Sequence, residues 1–291
     1  MKIQLYYPIK PHILTQNFGD SLACVENSNL PITQRKIVGK NAGKCPFNYV
    51  DLYPLLGMKG HTGMDIGAKH GQALYHCGPE GIVQEIQTEV ERGLGLGIIT
   101  KEKFQFNEFD NDEAAYQAKL RYWHLKSFNV KMGDTVKLGD LIGYCDNTGV
   151  SAGDHLHLEL KPVNQNGSSY SNVLQSNGYF GSIDPKPYFV GEYAIQQRKI
   201  TSTNSFFNTD MKYMQGSNEI KRLQGVLSDL GYFTYPENTG YYGDITKEAV
   251  YNFQLDYVQL SWWERYILRG KTVGPKTRFA INNLINSLIN K

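Results

Sequence analysis

The sequence predicts two domains of different class, a larger mainly β domain followed by a small all-α domain of three helices. Three observations carry this. The chain has 291 residues, more than one compact domain usually holds. From Gln72 to Cys145 short β-branched runs alternate with glycines, whereas beyond Met214 the apolar residues recur at helical spacing. Between these regions, Gln196 to Gly216 is rich in Ser, Thr, Asn and Gln and breaks both patterns, as a linker does. The expected boundaries are therefore 1–190, a linker over 191–213, and 214–291.

In the first domain, Gly81 to Val83, Gly97 to Thr100, Leu120 to Leu125 and Gly139 to Tyr144 read as strands. Two Gly-Asp turns, Gly133-Asp134 and Gly139-Asp140, frame a short alternating run that reads as a hairpin corner. The polar, acidic segment from Lys101 to Ala118 is expected to be a loop insertion. In the second domain three sets have helical spacing: Ile220, Leu223, Leu227 and Leu230, then Ile245, Ala249, Phe253 and Tyr257, then Ile281, Leu284, Ile285 and Leu288. Ser217 or Asn218 is placed to cap the first helix and Asp244 or Thr246 the second, while Pro275 suits the first turn of the third.

Composition narrows the function. Hydrophobic residues make up 41% and charged residues 20%, which is ordinary for a globular chain. A net charge of +2 without a basic run gives no footprint for DNA or RNA, so nucleic acid is not an expected partner. The first fourteen residues are interrupted by Lys2, Pro8, Lys10, Pro11 and His12, so neither a signal peptide nor a membrane anchor is expected. Cys24, Cys45, Cys77 and Cys145 lack CxxC spacing, which argues against a zinc knuckle or redox pair. Cys24 and Cys45 either close a loop or remain buried free thiols.

Five residues carry the candidate chemistry: His61 and Asp65, His124 within Tyr122-Trp123-His124-Leu125, and His155 and His157. The strict alternation of His155-Leu156-His157-Leu158-Glu159-Leu160 implies a strand with both imidazoles and Glu159 on one face and three leucines in the core. His61 and Asp65 have i, i+4 spacing, but Gly60, Gly63 and Gly67 favour a turn entering a strand over a helix. Two imidazoles and a carboxylate suit Zn²⁺ with an open fourth position, the arrangement of a catalytic site. The remaining histidines would then serve proton transfer and oxyanion stabilisation. His12, His70 and His76 are read as surface or satisfied core residues, and Glu159 as a support for the site or a solvent-facing residue.

Gln16-Asn17-Phe18-Gly19, Gly60 to Asp65, Tyr122 to Leu125, Gly133-Asp134 and His155 to His157 together resemble the lysostaphin-type zinc endopeptidases over roughly Ile13 to Phe189. The resemblance implies an antiparallel β-sheet catalytic domain with a long groove. It implies His61, Asp65 and His157 as metal ligands and His124 and His155 as the catalytic pair. It also implies a tyrosine near the site, for which Tyr53 is an offset candidate. The sequence departs from the family pattern in a long segment from Asp20 to Gly57 and in Asp146 before Asn147-Thr148-Gly149.

Leu230-Gly231-Tyr232-Phe233, Thr239 to Gly243, Ala249-Val250, Phe253-Gln254 and Val273 to Thr277 resemble the three-helix peptidoglycan-binding domain. Between Gln254 and Gly274 the chain is longer than that family's norm and carries Trp262, Trp263 and Tyr266. These could offer faces to sugar rings, although at least one Trp is expected in the core. The two resemblances imply a zinc-dependent peptidoglycan endopeptidase held on the wall by its second domain, acting as a monomer. Without a leader, such an enzyme would be made in the cytoplasm and released at lysis like a phage endolysin, or be carried on the virion. The rival is an inactive wall-binding protein.

Overall fold

A computed structural model describes residues 1–109, 114–194, 207–235 and 237–289. The chain divides into two compact units, Met1–Ala194 and Ile195–Lys291.

The first unit contains β1 (Leu5–Tyr7), β2 (Ile13–Gln16), β3 (Ala23–Glu26), β4 (Ile37–Gly39), β5 (Tyr49–Asp51) and α1 (Leu52–Leu55). It continues with β6 (Met64–Gly67), β7 (Ala73–Tyr75), β8 (Gly81–Gln87), β9 (Leu94–Phe104) and β10 (Tyr116–Phe128). It closes with β11 (Thr135–Val136), β12 (Leu141–Cys145), β13 (His155–Asn166), β14 (Ser169–Asn172) and β15 (Phe189–Tyr193). The main sheet runs β11-β8-β9-β10-β13-β6-β2, with β12 bridging β10 and β7 and β14 pairing with β13. Every pairing in this sheet is antiparallel.

The alternation of β13 is realised as read. Leu156, Leu158 and Leu160 are fully buried, as are Leu120 and Tyr122 of β10 and Ile66 of β6 on the same side of the sheet. A separate small sheet, β4-β3-β5, is built from the long segment after Asp20. Cys24 of β3 is joined to Cys45 by a disulfide, while Cys77 and Cys145 are free and buried. Three local expectations are corrected. Lys101–Phe104 and Tyr116–Ala118 extend β9 and β10, because long hairpin strands need no apolar alternation where they leave the core; of the presumed loop, 110–113 lie outside the described residues. The Gly-Asp turns flank β11, which pairs with β8 and not with its sequence neighbour β12. Tyr193 ends β15, so the strand runs past residue 190.

The second unit contains β16 (Met211–Lys212), α2 (Asn218–Asp229), α3 (Asp244–Tyr257), α4 (Trp262–Leu268), β17 (Thr272–Val273) and α5 (Pro275–Ile289). Its core includes Ile220, Leu223, Leu227, Val250, Phe253, Ile281 and Ile285. Phe207 and Met211 also belong to that core, so the linker expected over 191–213 is ordered fold at both ends, and 195–206 lie outside the described residues. Ser217 caps α2 by accepting from the Ile220 amide. At α3 the cap position is Gly243, with Asp244 already helical; Thr246 is buried and accepts from Gln224. Ile245 points outward, leaving Ala249, Val250 and Phe253 to face the core.

Among the described residues of this unit, four helices stand where three were expected. The extra one, α4, is closed by a capping box between Ser261 and Glu264 and buries no residue. The expectation that a tryptophan packs in the core is overturned, since Trp262 and Trp263 are 73% and 59% exposed. No described helix is long and apolar enough to cross a membrane.

Candidate metal centre and cleft

Register places the candidate ligands. In the antiparallel ladder His157 of β13 stands directly opposite Asp65 of β6, and Trp123 of β10 opposite His157. His61 precedes β6 in a tight approach to β13. A Cβ on Gly63 would lie 2.3 Å from the Leu158 carbonyl oxygen, so only glycine lets this loop come close enough to set His61 beside His157. The three donor atoms then meet. His61 Nε2 is 2.8 Å from His157 Nδ1 and 3.0 Å from Asp65 Oδ1, which is 2.9 Å from His157 Nδ1. All three residues are buried.

Hydrogen bonds on the far side of each ring decide which nitrogens carry lone pairs. His61 Nδ1 donates to the Asn17 carbonyl at 3.0 Å, leaving Nε2 as acceptor. His157 Nε2 faces Glu159 Oε1 at 3.4 Å, leaving Nδ1 as acceptor. Three acceptors, one of them anionic, therefore point at a single spot. Only a proton or a metal cation reconciles them, and the set fits Zn²⁺ by donor type. Burial alone would lower the His157 pKa, but the hydrogen bonds and charges of Asp65 and Glu159 prevail and raise it to about 9. Burial would likewise raise Asp65, yet its hydrogen bonds from His157 and His61 hold it far below the ordinary carboxylate range.

His124 reaches the cleft by a device that alternation does not contain. Tyr122 points into the core, so His124 would follow it there on a regular strand. Instead the ladder to β9 slips between Trp123 and Leu125, and His124 adopts φ 64°, a left-handed conformation uncommon outside glycine. The ring is thereby turned to the cleft side, 4.6 Å from the His155 ring and 6.0 Å from that of His157 between centroids. His124 Nδ1 donates to the Thr148 carbonyl at 2.6 Å, and His155 Nδ1 to the Gly153 carbonyl at 2.7 Å. Both Nε2 atoms are left as acceptors, that of His155 lying 3.6 Å from Asp65 Oδ1. Burial, with the neighbouring imidazoles, lowers His124 to about 3, so its ring is neutral at physiological pH.

Glu159 lies at the back of the site. It accepts from Thr62 at 2.6 Å and Arg121 at 2.8 Å, and pairs with Lys161 at 3.2 Å. Arg121 also binds both oxygens of Glu85 and lies over the Trp123 ring. The sequence reading left Glu159 between support and solvent; the structure buries it in contact with His157. Arg121 and Lys161 were not singled out, and the signal available was their alternation with Trp123 and Glu159 on paired strands. Tyr53, on α1, has its ring 6.0 Å from His61 and its hydroxyl bonded by Gln16. Burial and the Asp65 charge raise its pKa, keeping the phenol protonated as a donor.

These groups line one cleft of about 790 Å³. The other histidines lie outside it. His76 is fully buried with Nε2 donating to the Pro79 carbonyl and Nδ1 accepting from Tyr122, and His12 stacks on Tyr7. His70 pairs with Asp146 near Asp154, an exposed grouping without the convergence of the first.

Residues 59–170 match the model of Peptidase family M23, and residues 216–258 match that described as "Putative peptidoglycan binding domain". Among curated relatives, the chain is similar to Glycyl-glycine endopeptidase ALE-1 of Staphylococcus capitis, 29% identical over 54% of this chain and 37% of that protein. It is also similar to lysostaphin of Staphylococcus simulans, 32% identical over 46% of this chain and 26% of that protein. The alignments thus span only about a third of the length of these relatives or less. Among solved structures, the catalytic domain of lysostaphin from Staphylococcus simulans is 25% identical over 45% of this chain and 79% of that one, with a TM-score of 0.33. The chain therefore carries a domain of peptidase family M23 followed by a peptidoglycan-binding domain.

Proposed function

We propose that the protein is a zinc-dependent endopeptidase that hydrolyses peptide bonds in bacterial peptidoglycan, a lysin of the phage type whose second domain keeps it on the wall. The observation that carries this is the convergence of His61 Nε2, Asp65 Oδ1 and His157 Nδ1, all acceptors, with two further imidazoles beside them. Zn²⁺ bound by these three residues would polarise the scissile carbonyl and make a water acidic enough to attack near neutral pH.

The chain's own groups do the rest. His124, neutral and fixed by Thr148, takes a proton from the attacking water at Nε2 and delivers it to the departing amine nitrogen as the C–N bond breaks. His155 stands beside it as the second imidazole of the pair, and the Tyr53 hydroxyl is a donor for the carbonyl oxygen as charge develops there. On the second domain, Trp262, Trp263 and Tyr266 stack nearly parallel, with centroids 5.5 to 6.2 Å apart, and offer an exposed aromatic face to the wall.

The test is lysis of purified walls. Chelation should abolish it, added Zn²⁺ should restore it, and new amino groups should appear without new reducing ends. Reducing ends would mean glycoside cleavage and overturn the reading.

A further inference from the structure

One wall of the cleft is not explained by the residues that hold an ion or move protons. It comes from the long segment after Asp20, which forms β3, β4, β5 and α1. Its strands are three or four residues long. Its only buried apolar residues are Cys24, Val25, Leu52 and Tyr53. So thin a core does not hold a sheet by itself, and the Cys24–Cys45 bridge supplies the missing constraint.

The face this stapled segment turns to the cleft is apolar. Ile37, Leu52 and Leu56 line it together with Met58, beside Tyr53, and no charged side chain from residues 21–58 joins them. Leu56 and Met58 are part-exposed there, so water meets alkyl surface in the cleft that His61 also lines, where Tyr53 has its ring 6.0 Å from that of His61. The rest of the lining mixes apolar Trp123, Val150, Ala152 and Phe180 with polar groups, and the charges of Arg121, Glu159 and Lys161 are paired with one another. A substrate gains by covering the apolar wall with alkyl groups of its own, and Met58 can adjust to their shape.

We propose that residues 20–58 form a subsite for an alkyl side chain next to the scissile bond, so that the enzyme cuts alanyl-type stem-peptide links in preference to runs of glycine. This rests on the endopeptidase reading of the cleft. A glycine run has no side chain to bury against Leu56 and Met58, whereas an alanine methyl or the alkyl stem of a diamino acid does.

The experiment measures kcat/KM of the zinc-loaded full chain on two peptides of equal length, pentaglycine and one containing a D-alanyl-diamino acid link. The alanyl peptide should be preferred by about tenfold or more. Leu56→Ser with Met58→Ser, both at part-exposed positions, should collapse that ratio mainly through KM while bound zinc per chain is unchanged. Cys24→Ser with Cys45→Ser should act in the same direction, again with zinc retained. Equal or better cutting of pentaglycine by the wild type, or a ratio unmoved in the Leu56/Met58 variant, overturns the subsite while leaving the endopeptidase reading intact. A zinc-loaded protein that cuts neither peptide overturns both.

Discussion

Replacing Glu159 by glutamine tests how the site is held together. The carboxylate is 5% exposed and receives Thr62, Arg121, Lys161 and the His157 ring. Glutamine keeps the shape but removes the charge. Arg121 retains Glu85 at 2.9 Å, but buried Lys161 loses its anionic partner and is left with neutral acceptors such as the Phe180 carbonyl. Leaving one partner of a buried pair uncompensated costs about 3 kcal/mol, offset here in part because burial already lowers the Lys161 pKa and it can lose its proton. A stability loss of about 2 kcal/mol is therefore expected in urea unfolding of the metal-free protein. Glutamine keeps one oxygen, and turning it toward Arg121 and Lys161 sets its NH2 against Thr62 and His157 Nε2, so the acceptor that orients His157 is lost. Losing such a partner typically weakens metal binding by roughly 10- to 100-fold, readable by competition with a chromophoric chelator. A Glu159→Gln protein with wild-type zinc affinity and wild-type stability would refute the role assigned to this cluster.

His124→Ala should bind zinc as the wild type does and lose roughly 10²- to 10⁴-fold in turnover on peptide substrate; loss of zinc instead would make His124 a ligand. His76, fully buried and lowered by that burial from 6.5 to about 4, must stay neutral in the fold. Its contribution is whole above pH 6.5 and is lost as pH falls toward about 4, a difference of about 3 kcal/mol. The melting temperature of the wild type should drop across that window more steeply than that of His76→Gln, and parallel curves would contradict this. Trp262→Ala with Trp263→Ala should reduce pelleting with purified walls without changing the melting temperature, because neither ring is in the core; undiminished pelleting would remove α4 from the wall contact.

The sequence made some of these features legible and hid others, for physical reasons. The period of two in His155 to Leu160 fixed which side chains share the cleft face, because a strand allows no other arrangement of alternating residues. Helical spacing located α2, α3 and α5 through the core each stripe must cover. The helix α4 was missed because it buries nothing and so has no stripe; its Ser261-Trp-Trp-Glu264 capping box was the available sign. The aim of His124 was hidden because it depends on a slip in the β9–β10 ladder and a left-handed backbone, which a histidine codon does not announce. Pairing of Cys24 with Cys45 was undecidable from spacing, since it follows from β4 folding back on β3.

The central claim is that one ion joins His61, Asp65 and His157 and that peptide cleavage depends on it. The most direct measurement is bound zinc per chain, by elemental analysis after dialysis, in the wild type and in Asp65→Asn, alongside release of amino groups from purified walls. One zinc per chain in the wild type, with both zinc and release lost in Asp65→Asn, is the predicted result. Wall cleavage by a wild type that holds no metal, or zinc retained in full by Asp65→Asn, would contradict it.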